Sequence, residues 1–203
     1  MKNYLMLNNK KIELTSEQVK EIENGFNINK IKLENVPIGD TFKVGDLEFV
    51  VLEHVQETAL VVLKGFWKTS AFDGSSNNYR DSEIRKSLNG DFYLSLSKIV
   101  GEDNIVTHEV DLTSDDGRAD YGSCFDNISL LTCNMYRKYV YTLDKHRNGE
   151  WWWLATPHST KSNGYEFTVR CVDCGGALDY YVCGFGLGVR PFCILKSSIF
   201  VSK

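Results

Sequence analysis

The clearest pattern in the chain is a pair of apolar runs, Asp46-Leu47-Glu48-Phe49-Val50-Val51-Leu52-Glu53 and Thr58-Ala59-Leu60-Val61-Val62-Leu63. Both are rich in β-branched residues and carry few polar positions, which predicts a hairpin of strands buried on both faces. Nearer the start, Tyr4-Leu5-Met6-Leu7 and Lys11-Ile12-Glu13-Leu14 flank Asn8-Asn9-Lys10 and predict a second hairpin with turn residues at its tip. Thr15 and Gln18 have capping-box spacing, and Val19, Ile22 and Phe26 continue at helical intervals toward a stop at Gly25. Residues 27–35 read as a short connector.

Downstream of the central hairpin, residues 68–80 read as a loop by composition. Asp81 or Ser82 can cap a helix with Ile84 and Leu88 on one face, interrupted near Asn89-Gly90. A following helix puts Phe92, Leu96, Ile99 and Val100 on one stripe. Residues 127–131 form a short strand, and Thr132 caps a helix carrying Met135, Tyr136, Tyr139 and Val140. In the last quarter Tyr165, Phe167, Val169 and Cys171 alternate with Glu166, Thr168 and Arg170, which predicts a two-faced strand. A Gly175-Gly176 turn, an aromatic stretch to Tyr181, three glycines at 184, 186 and 188, and a final strand from Val189 to Leu195 complete the pattern.

Composition adds boundaries. The 203 residues have globular proportions of apolar and charged side chains, and no run approaches the ~20 apolar residues of a membrane span. The first residues lack the apolar core of a secretory signal, which points to the cytoplasm. A net charge of −4 argues against a broad nucleic-acid-binding surface. That charge is uneven: residues 36–150 carry −7, whereas residues 151–203 carry +2 and hold ten of the 25 aromatics. Candidate chemistry therefore belongs first to this aromatic, glycine-rich quarter.

The six cysteines include Cys171-x-x-Cys174, which Cys183 and Cys193 could complete as a zinc site, but a second CxxC is absent and Cys171 and Cys193 fall in core phase. The acidic run from Asp111 to Asp120 departs from the EF-hand template, with Asp116 and Gly122 where glycine and glutamate belong. Neither argues for a resident metal, and no cofactor is expected. The four histidines show no HExxH, and no Gly-x-Ser-x-Gly or phosphate-binding glycine loop is present. Trp151-Trp152-Trp153 must point to both faces of a strand. One indole anchors the core, and an exposed member would make a stacking platform.

Trp152-Trp153-Leu154-Ala155-Thr156-Pro157, a glycine-rich stretch and Gly188-Val189-Arg190-Pro191 together resemble the WWLRSP…GVRP signature of an uncharacterised domain family of bacteria, phages and prophages. Ser82 to Asn89, Asp126 to Thr132, and Pro37 to Phe42 are similar to that family's helix, strand-and-cap and opening, in matching order over residues 36–195. Ala155 departs from the pattern, where arginine is common, as do Cys174, Cys183 and Cys193. The family resembles the C-type-lectin-like fold shared by formylglycine-generating enzymes and the variable proteins of diversity-generating retroelements. The resemblance implies an α+β domain over 36–203, with a C-type-lectin-like core of antiparallel strands and flanking helices. A small hairpin–helix unit over 1–30 precedes it.

The implied function is a non-enzymatic binding protein of phage, prophage or mobile-element origin, cytoplasmic or virion-associated, that engages a macromolecule, most simply a protein, through its C-terminal loops. The alternatives are an intracellular phage effector that blocks a host defence factor and a formylglycine-generating-type oxidase, which needs a copper-binding cysteine pair that no motif here assigns. The expected ligand-facing patch is Asp173, Asp179, Tyr180, Tyr181 and Phe185. Adjacent tyrosines cannot both enter one core, and aromatics are efficient contact residues. Trp153, Leu154 and Arg190 are expected to be structural, with Arg190 forking onto carbonyls or a carboxylate to pin the closing strand.

Overall fold

The computed structural model describes residues 4–7, 10–25 and 30–203. The Asn8-Asn9 tip and Phe26 therefore lie outside the described residues. Strands β1 (Tyr4–Leu7) and β2 (Lys10–Glu13) pair as an antiparallel ribbon of their own, with Leu5 opposite Ile12. Helix α1 (Ser16–Gly25) starts on a reciprocal cap. Thr15 Oγ1 accepts from the Gln18 amide at 3.2 Å, and Gln18 Oε1 accepts from the Thr15 amide at 3.0 Å.

The expected connector is partly a strand. Residues Lys30–Lys32 form β3, followed by a 3₁₀ turn over Leu33–Asn35. Only two isoleucines mark this stretch, because pairing with a distant strand, and not its own pattern, makes it extended. Strands β4 (Thr41–Val44), β5 (Leu47–Val55) and β6 (Thr58–Leu63) form an antiparallel meander. Residues Lys68–Ser70, expected in a loop, are β7. Ser82 caps α2 (Glu83–Ser87), a π turn spans Leu88–Phe92 where Asn89-Gly90 interrupt the pattern, and α3 (Tyr93–Val100) follows. Phe92 and Leu96 are buried, whereas Ile99, in the last turn of α3, is more than half exposed.

Next come β8 (Ile105–Val106), β9 (His108–Asp111), β10 (Ser123–Asp126), β11 (Ile128–Ser129) and α4 (Cys133–Asp144), the last capped by Thr132. Strands β12 (Trp152–Pro157), β13 (Thr168–Val172), β14 (Leu178–Val182), β15 (Leu187–Val189), β16 (Phe192–Lys196) and β17 (Phe200–Ser202) close the chain. The expected two-faced strand is shorter than its alternation. Tyr165 and Phe167 lie before β13 and are exposed, because a 3₁₀ turn at Lys161–Asn163 reverses the chain there. The expected final strand is broken in two at Arg190-Pro191, since proline cannot donate to a ladder.

The result is an α+β fold dominated by strands. Besides the two-stranded β1–β2 and β9–β10 pairs there are two larger sheets, one running β11-β16-β6-β5-β4-β17-β3 with β8 alongside β16, and one running β14-β13-β12-β15-β7. The two sheets are sealed by two apolar clusters. Phe49, Val51, Val61, Trp153, Ala155, Val169 and Cys193 join Ile84, Leu88, Phe92 and Leu96 of the α2–α3 segment. Val50, Leu52, Val62, Trp152, Leu154 and Phe192 join Tyr136, Tyr139 and Leu143 of α4. Successive residues of β5, β6 and β12 thus enter opposite clusters, which is why these strands carry unbroken apolar runs. Glu53 fixes α4 to β5, accepting from Lys138 Nζ at 2.7 Å and from the Tyr139 hydroxyl, and these bonds hold its carboxyl below the usual range.

Candidate functional site

The β12 sheet sorts its aromatics by parity. Trp152 pairs with Val172 and Trp153 with Cys171, while Val169 pairs with Tyr181 and Cys171 with Asp179. Odd positions therefore share the face of Trp153, and even positions share the face of Trp152. Trp153 is fully buried, packs edge-on to Phe72 at 5.8 Å and donates from Nε1 to the Ser70 carbonyl at 3.0 Å. Leu154 is fully buried in the opposite cluster.

Two positions before Trp153 the same face reaches the end of the sheet. Trp151 is only half-buried there and meets Tyr181 edge to face, with ring centroids 5.9 Å apart and planes at 68°. Tyr181 in turn meets Phe185 at 4.8 Å and 74°. The three rings line a groove of about 430 Å³, with Glu150, Thr69, Leu187 and bare backbone at Gly186 and Gly188 completing its wall. Gly188 is required here. A Cβ on it would lie 2.4 Å from the Phe66 ring, and its amide donates to the Trp151 carbonyl at 2.9 Å, locking β15 against the groove's floor. Phe185 is held by a turn whose amide donates to the Val182 carbonyl at 3.0 Å, and it remains 56% exposed.

The five expected contact residues do not form one surface. Tyr181 and Phe185 meet in the groove. Tyr180 faces the other side of the sheet and stacks on His158 at 4.4 Å and 25°. Asp179 shares the parity of Tyr181, and its Oδ1 accepts from the Tyr180 amide at 2.7 Å. Asp173 holds the Gly175-Gly176 turn, accepting from the Gly175 and Ala177 amides at 2.8 Å each. Glu150 joins the groove without having been singled out, and Trp151 is the least buried member of the tryptophan triplet. The alternation of the tryptophan triplet was the available signal, since it puts Trp151 on the Trp153 face just ahead of the strand's first paired residue.

Arg190 is buried and carries its charge without a carboxylate. Its Nε donates to the Leu63 carbonyl at 2.7 Å, its guanidinium carbon lies 5.2 Å from the Trp152 ring centre, and Nη2 has no partner among the described residues. Burial pulls its pKa down to about 10. The expected fork is thus a single carbonyl bond plus a cation–π contact.

Several carboxylates elsewhere are engaged by donors. A groove of about 220 Å³ beside the start of α4 contains Asp115, which is paired with Arg137 at 2.7 Å and Arg170 at 3.4 Å. Asp116 accepts from Ser114, Ser159 and Arg118, and these donors hold its carboxyl down at about 2. Asp120 accepts from Thr160 at 2.5 Å and from Ser162. Asp126, itself buried, takes a two-pronged pair from Arg85 at 2.6–2.8 Å. Of the cysteines only Cys174 is exposed. Burial raises the thiols of Cys124, Cys133, Cys183 and Cys193 and pushes that of Cys171 up to about 12, so these stay protonated at neutral pH. Among the described residues no three His, Cys, Asp or Glu side chains converge as metal ligands, and no helix is long and apolar enough to cross a membrane.

Residues 57–197 match the family described as Domain of unknown function (DUF6273), and the chain belongs to that family. No curated protein and no solved structure matches it.

Proposed function

We propose that this DUF6273 member is a non-enzymatic binding protein that engages a protein partner through the Trp151–Tyr181–Phe185 groove. The observation that carries the reading is a run of three rings in edge-to-face contact along one groove, half-buried Trp151 and Tyr181 and exposed Phe185. Large aromatics with two rotatable bonds bind at low entropic cost, and such anchors dominate protein interfaces. Every lining residue other than Glu150 is apolar, hydroxylic or glycine, a composition suited to recognition by contact. On this reading the domain has a C-type-lectin-like core whose C-terminal strands and loops display the contacts. Phage or mobile-element origin and a cytoplasmic or virion-associated setting follow from the WWLATP…GVRP resemblance.

The test is the double variant Tyr181→Ala/Phe185→Ala in pull-downs from host lysate and on intact cells. Loss of the captured partner with a melting temperature within a few degrees of wild type supports the reading. Retained capture, or collapse of the fold, overturns it. Capture from lysate alone favours an intracellular effector, and binding to intact cells a displayed receptor binder.

A further inference from the structure

We infer that the groove is a cation-recognising site that takes an alkylammonium side chain, lysine or its methylated forms, presented by the partner. The inference rests on the reading of the groove as the partner site and adds the chemistry of the occupant. Three observations carry it. The successive edge-to-face contacts, at 68° and 74°, set neighbouring rings at steep angles to one another along the groove that all three line. An aromatic face is negative by its quadrupole and attracts a cation within about 6 Å of its centre.

The second observation concerns what already occupies the rings of this protein. Lys68 lies over Trp67, Lys138 over Tyr139, Lys11 over Tyr4 and Arg190 over Trp152, whereas no cation of the described residues lies over Trp151, Tyr181 or Phe185. The third is Glu150. Its carboxylate stands exposed at the groove's edge with no hydrogen bond or ion pair among the described residues, in contrast to the paired Asp115, Asp116, Asp120 and Asp126. An unpaired carboxylate beside rings that no cation of the described residues covers complements a positive charge carried on an apolar stem, which is the form of a lysine side chain. A carboxylate or phosphate ligand would be repelled by both.

The experiment uses the full ¹⁵N-labelled chain and three probes: Nα-acetyl-lysine methylamide, its Nε-trimethyl form, and the neutral tert-butyl isostere of the latter. The readout is the Trp151 indole N–H resonance, assigned by its loss in Trp151→Phe. The expected result is saturable movement of that resonance by both cations, with the trimethyl form binding about tenfold more tightly than its neutral isostere. Glu150→Gln should weaken both cations several-fold and leave the isostere unchanged, and added salt should act in the same direction. Equal affinity for the isostere overturns the cation preference while leaving the groove a binding site. If no probe moves the Trp151 resonance the inference fails outright, and the Tyr181/Phe185 capture experiment decides the broader reading by itself.

Discussion

The two ends of β12 are built from opposite chemistry. At the far end, Pro157 runs into Ser159, Thr160 and Ser162, which are tied to Asp116 and Asp120 from the 113–121 loop. Asn77 is buried among them. Its Nδ2 shares two protons among the carbonyls of Ser159, Tyr165 and Thr168, each 2.7–2.8 Å away, while its Oδ1 accepts from the Tyr121 hydroxyl at 2.8 Å. At the near end, Trp151 and Glu150 meet Tyr181 and Phe185 and leave a groove. Both ends carry carboxylates, but Asp116 and Asp120 are satisfied by donors, whereas Glu150 has none among the described residues. A cluster of acids is therefore the scaffold here, and the sparsely charged end is the open one.

Trp153 lies between the two ends, and its loss should have the largest effect. Trp153→Ala removes a fully buried indole packed against Phe72 and strips the Ser70 carbonyl of its donor. It should cost about 3–5 kcal/mol, as large core truncations do. Urea denaturation checks this, and an unchanged midpoint would show that the sheet does not depend on its centre.

Asn77→Ala attacks the closed end alone. The Ser159 and Tyr165 carbonyls and the Tyr121 phenol lose a partner around a fully buried side chain, while the Thr168 carbonyl keeps the His158 amide, and each group left unpaired costs ~1–3 kcal/mol before water or rearrangement compensates. A net loss of about 3 kcal/mol is expected, with groove binding retained in the fraction that stays folded. Loss of binding at full occupancy of the fold would mean that the ends are coupled.

This division explains what the sequence made legible. The β5–β6 hairpin, the Ser82 and Thr132 caps, the interruption at Asn89-Gly90 and the split of Tyr180 from Tyr181 all follow from local chemistry or parity. Strands β3, β7 and β17 are three residues long and extended only because a partner strand supplies their hydrogen bonds, so no local pattern marks them. Parity separates Tyr180 from Tyr181 but does not say which of them borders a groove. That depends on Trp151, thirty residues earlier, and on a loop placed by Gly188 lying against Phe66.

Acid should loosen the closed end before the open one. Asp116 titrates at about 2 in the folded chain, below its ordinary value of 3.8. The folded state thus binds fewer protons than the unfolded state between these values. The stability this group contributes is complete above about pH 4 and disappears as pH falls toward 2. With its side chain 37% exposed, solvent screening keeps the contribution modest. Asp116→Asn should therefore flatten the fall in denaturation midpoint between pH 4 and pH 2 while leaving the Trp151 resonance of the folded protein in place. A wild-type slope in the variant would assign the acid sensitivity to other carboxylates.

The smallest expected effect separates the two faces of β14. Tyr180 is 49% exposed and its main ring partner is His158, so Tyr180→Ala should cost only about 0.5–1.5 kcal/mol, the range for one aromatic pair. Because its side chain points away from Trp151, the variant should bind the trimethyl-lysine probe as wild type does, whereas Tyr181→Ala, one residue along the same strand, should not. The pair of variants thus differs in binding far more than in stability. If Tyr180→Ala abolishes capture of the natural partner while leaving probe binding intact, the partner wraps the open edge of β14 and touches both faces. If it abolishes probe binding as well, the groove is not confined to the Trp151 face and the contrast between the two ends of the sheet fails.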